Sequence, residues 1–148
     1  MRNEDTYFVG QLLLYASSYD YYEHPFYVYR KGHEGQQTSG AITKAMLNDL
    51  KTICIQYILQ VEKEDEKLHK VLLSYIAYPY CVWMGQSKLV IDKKNIKNDI
   101  LEMKRYSHIL NYNLDPNVKK IGVVVKILGF TITSYLLGIF IKSKNRLG

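Results

Sequence analysis

The chain has 148 residues, 47% of them hydrophobic and 23% charged. That suits one domain with a core of its own and is too short for two comfortable ones. The composition excludes an intrinsically disordered chain. A formal net charge of +6, drawn largely from lysines in the second half, points toward an anionic partner such as phospholipid headgroups or a phosphate-bearing ligand. A nucleic-acid partner is not expected, because the basic residues are not interleaved with an aromatic platform. The 14 tyrosines, against 4 Phe and 1 Trp, suit half-buried surfaces and clefts, although a compositional bias would give the same count.

In chain order, residues 4–16 read as a short amphipathic helix. Asn3 is its expected cap, and Glu4 and Asp5 are placed in the first turn, where the helix dipole favours acids. Val9, Leu12, Leu13 and Ala16 follow at core spacing. Residues 19–30, YDYYEHPFYVYR, are rich in aromatics and valine and broken by His24-Pro25. They read as two short strands or one bent strand, since proline cannot donate to a sheet ladder. KGHEGQQTSG, with Gly32, Gly35 and Gly40, is a loop.

From Ala41 the pattern is helical. Ile42, Met46, Leu50, Ile53, Tyr57 and Val61 form one stripe at spacings of three and four. A charged connection leads to a second apolar helix, expected to be interrupted or kinked near Pro79. A third helix spans 92–112, with Ile96, Ile100, Met103 and Ile109 or Leu110 facing inward. Asp115 then caps a last helix that has Pro116 at its first position.

That last helix is apolar on nearly every side. Lys126 interrupts it, leaving 15 uncharged residues from Ile127 to Ile141. A membrane-spanning helix needs about 20. Its membrane reading is therefore an interfacial helix, with Lys119, Lys120, Lys142, Lys144 and Arg146 toward headgroups. Packing on the preceding helices is the equal alternative. Cys54 and Cys81 show no metal-ligand spacing and read as buried free thiols, which suits a reducing compartment. The charged first residues are not those of a secretory leader.

One ordered series carries a family resemblance. Glu4-Asp5 opens a helix. An apolar segment follows, then Pro25-Phe26-Tyr27-Val28-Tyr29-Arg30, then Lys31-Gly32-His33-Glu34-Gly35. Over roughly residues 3–40 this resembles the closing portion of the catalytic domain of bacterial family 2 (GT-A type) glycosyltransferases, which build cell-surface glycans. The helical tail resembles the C-terminal extensions of that family more loosely. The resemblance implies a catalytic role for Asp5, with Glu4 beside it, and substrate contacts from Arg30, Lys31 and His33. At two loop positions this chain has His33 and Gln36 where the family often has Arg and Ser.

The family's Asp-x-Asp motif, which holds a divalent metal (Mg or Mn) against the donor diphosphate, does not occur here. No cofactor is therefore expected in this chain, and no metal ligand is assigned. A truncated gene, a split gene or a misassigned start would each give such a sequence, and a chain of this kind is expected to be inactive alone.

The expected fold class is α+β and mainly helical. A short N-terminal helix and one or two strands, the remnant of a GT-A sheet, occupy 1–40, and a helical bundle occupies 41–148. The complete enzyme would take a nucleotide-sugar and a glycan or lipid-linked acceptor. It would be cytoplasmic, with peripheral attachment at the inner face of the membrane through residues 119–146. The alternative is a small helical protein that binds a membrane surface or a partner protein.

Overall fold

A computed structural model of the chain describes residues 4–18, 20, 23, 24 and 41–144. Five α-helices account for most of these: α1 (Glu4–Tyr15), α2 (Lys44–Val61), α3 (Glu66–Gln86), α4 (Ile96–Arg105) and α5 (Pro116–Lys144). A 3-10 turn, Ser107–Asn111, follows α4. The mainly helical class holds. No strand occurs among the described residues, and Asp20, Glu23 and His24 are not part of one. The rest of the expected strand region 19–30, and the loop after it, lie outside them.

The caps follow from short polar side chains placed where the first helical N–H groups need acceptors. Thr43 Oγ1 accepts from Met46 N at 3.3 Å, and Asp65 Oδ1 accepts from Lys67 N at 2.9 Å. At α5, Asp115 Oδ1 accepts from Asn117 N (2.6 Å) and Val118 N (3.3 Å), with Pro116 opening the helix as the sequence implies. The backbone of α3 runs on as helix through Pro79. Packing holds it there, although proline withholds the N–H that would bond the carbonyl four residues back. The single helix expected over 92–112 is instead α4 followed by the 3-10 turn, with Tyr106 between them at φ −95°, ψ 14°.

α3 is the hub, packing against α1, α2, α5 and the 3-10 turn. Leu50, Ile53, Tyr57 and Val61 of the α2 stripe are buried, and Leu47, Cys54 and Ile58 widen it. Across from them, Trp83 is fully enclosed and its Nε1 donates to Leu47 O at 3.0 Å. Tyr80 Oη donates to Met103 O at 2.6 Å, and its ring meets Phe130 edge-on, 6.3 Å between centroids. Lys51 Nζ donates to Asp99 (2.7 Å) and Glu102 (2.6 Å), and Lys44 also pairs with Asp99, so an ion network ties α2 to α4. Cys54 and Cys81 are buried and unpaired, and burial pushes the Cys81 thiol up to about 12. Burial therefore disfavours its thiolate form in the folded chain.

α5 spans 29 residues in two helical segments that meet at Gly129. By length and composition it could cross a membrane, although Lys126 breaks its uncharged run. Gly129, at φ 80° and ψ 163°, interrupts its helical backbone, a conformation open to glycine and costly for other residues. Just after it, Thr133 Oγ1 and Ser134 Oγ donate to the carbonyls of Gly129 and Phe130, both at 2.8 Å. Beyond it the helix meets α3 through glycines. A Cβ on Gly85 would sit 2.6 Å from Ile141 Cδ1 and 3.1 Å from Leu137 Cβ, and one on Gly138 would sit 3.2 Å from Gly85 O.

Candidate functional site

The two carboxylates singled out by the sequence stand in the first turn of α1, and both are exposed. Asp5 Oδ1 accepts from Thr6 N at 2.9 Å.

What holds this helix start in place was not visible in the sequence. Tyr75 Oη, from α3, donates to Thr6 O at 2.8 Å, one residue from Asp5. One turn further, Gly10 lies against the rings of Tyr57 and Tyr75, which pack on each other at 5.8 Å and 60°. Gln11 Nε2 donates to Gln60 Oε1 at 2.9 Å. Burial, with the charge of Asp5 in second place, raises the Tyr75 hydroxyl above its ordinary pKa, so Tyr75 stays a neutral donor to Thr6. Burial raises Tyr57 further, and its hydroxyl has no hydrogen-bond partner among the described residues.

The face that α1 turns inward is a correction to the sequence reading. Val9, Leu12, Leu13 and Ala16 were expected in the core, yet all four are exposed, Leu12 at 48%. The inward face is Thr6, Gly10 and Leu14, spaced one helical turn apart. Gly10 decides this, because its missing side chain lets the helix settle onto two tyrosine rings. Phe8, Val9, Leu12 and Leu13 are left on the outer side, an apolar face with nothing over it among the described residues.

Gly10→Ala tests the clamp. The added methyl would meet Tyr57 Cε2 at 2.9 Å, and Tyr57 is enclosed and cannot swing away. The gain of up to about 1 kcal/mol in helix propensity is outweighed by about 1–3 kcal/mol of overpacking. We expect a lower Tm and faster hydrogen exchange of α1 amides, with those of α2 little changed.

Arg30, Lys31 and His33, expected to contact substrate, lie outside the described residues, as does Asn3. Among the described residues no group of three or more His, Cys, Asp or Glu side chains could hold a metal ion. The chain matches no protein-family model, no curated protein and no solved structure.

Proposed function

We propose that this chain is the C-terminal part of an inverting family 2 glycosyltransferase, with Asp5 as its general base. The observation that carries the reading is the state of α1. It presents Glu4 and Asp5 to solvent at an anchored helix start, while Phe8, Val9, Leu12 and Leu13 on its outer face are exposed, with no cover among the described residues. A helix so placed suits a cleft whose opposite wall, the donor-binding sheet, comes from other residues.

In this reading the acceptor hydroxyl loses its proton to the Asp5 carboxylate as its oxygen attacks the anomeric carbon. The bond from that carbon to the nucleoside diphosphate breaks, and the diphosphate leaves with the electron pair. Glu4 keeps the region negative and orients the acceptor. Arg30, Lys31 and His33 would contact the donor phosphates, where charge-assisted bonds are strong. The divalent metal used by such enzymes finds no donor set among the described residues, so no step is drawn through it. The acceptor would be a glycan or a lipid-linked sugar at the cytoplasmic face of the membrane.

Titration calorimetry with nucleotide-sugars, in Mn²⁺ or Mg²⁺, tests the division of labour. The chain alone is expected to give no binding heat, and micromolar binding would overturn the claim that the donor site lies elsewhere. An in-frame strand-and-helix region with an Asp-x-Asp motif is expected in the DNA directly upstream.

A further inference from the structure

The outward side of α5 is a second surface, on a different element and independent of the sugar-transfer reading. Beyond Gly129 the helix divides cleanly. Phe130, Thr133, Ser134 and Gly138 face α3 and are buried, whereas Ile132, Tyr135, Leu136, Ile139 and Phe140 cover the opposite half and are exposed, Ile139 at 65% and Phe140 at 62%. Only 22% of the most apolar 18-residue stretch is buried. The close Gly85–Gly138 crossing fixes the rotation of this half-helix, so the large apolar side chains are held outward.

Charge says what covers them. From Pro116 to Lys144 there are five lysines, Lys119, Lys120, Lys126, Lys142 and Lys144, and no acid. They bracket the uncharged run at both ends, and all five are exposed. We infer that the half-helix from Phe130 to Lys144 lies flat in an anionic lipid surface, with Ile139 at the centre of the immersed face and the lysines among the headgroups.

Two features favour lying over spanning. The uncharged run has 15 residues and is broken by Gly129 near its start, against the about 20 that a spanning helix needs. Lys88 sits beside this run, its Nζ 4.6 Å from the Tyr135 ring centroid and its Cβ close to Gly138, so a spanning α5 would carry a lysine into hydrocarbon. A flat helix leaves Lys88 at the water boundary, where a cation over an aromatic ring is stable.

Flotation of the full chain with vesicles of equimolar phosphatidylglycerol and phosphatidylcholine, and with phosphatidylcholine alone, reads this out. The chain is expected to float with the anionic vesicles, to lose binding as salt rises, and to be released by alkaline carbonate. Ile139→Glu should weaken partitioning about tenfold or more with an unchanged circular dichroism spectrum, because the side chain makes no core contact. Lys142→Gln with Lys144→Gln should weaken it by about fivefold per lysine. Four results would overturn the inference: an Ile139→Glu chain that floats like the parent, equal binding to neutral vesicles, resistance to carbonate, or a dimer without vesicle binding that Ile139→Glu dissociates. The last would assign the face to a second copy of the chain.

Discussion

Asp5→Asn, introduced into the complete transferase that we propose, is expected to lower kcat by about 10²–10⁴-fold, the usual contribution of a positioned general base. Asparagine keeps the size of the side chain and its acceptor for Thr6 N, so α1 should dock as before. Donor binding would then persist while turnover falls, which separates loss of the base from loss of the fold. Glu4→Gln on the same helix turn should cost less, since it removes a neighbouring charge and not the proton acceptor. Single-turnover transfer assays with both variants would show the difference. Equal small effects at both positions would reduce the pair to two acids favoured by a helix dipole.

Trp83→Ala carries the largest expected effect on stability. Trp83 is 0% exposed in the last turn of α3, and its Nε1 donates across to Leu47 O of α2. Removing the indole leaves a cavity between the two helices and deletes their one buried side-chain cross-link to that carbonyl. Such truncations cost about 3–5 kcal/mol, a large share of the roughly 5–15 kcal/mol that holds a domain folded. Urea unfolding followed by circular dichroism should show a much lower midpoint, and thermal melts a fall on the order of 10 °C. Trp83→Phe, which keeps most of the packing, should lie between the two.

The helices after residue 41 were legible because their apolar residues recur at one helical period against polar neighbours. Leu50, Ile53, Tyr57 and Val61 are buried as that spacing demands, and so are both Ile109 and Leu110. Periodicity had less to say where nearly every residue is apolar. In α1 and α5 the pattern shows a helix but not which side faces the core, and α1 was assigned the wrong side.

Residue size held the missing information. In both helices the inward face carries small residues, Thr6 and Gly10 in α1 and Thr133, Ser134 and Gly138 in α5, beside a few large ones such as Leu14 and Phe130, while most bulky residues point out. Close helix approach rewards absent side chains more than large ones. The carboxylates of the candidate site were readable as a helix start. The Tyr75 hydroxyl beneath them was not, because it meets Thr6 from 69 positions away and leaves no local trace.

The left-handed glycine in α5 has one more consequence. In an unbroken helix, adding or removing a single residue turns everything beyond it by about 100°. Here Gly129 sits in open space, with nothing within 4 Å of where its Cβ would stand. The rotation of each segment is fixed by its own neighbours on α3 and the 3-10 turn. Changes in length near the joint can therefore be taken up locally, and the orientation of the last four turns becomes a property inherited from α3 and not from the chain that precedes them.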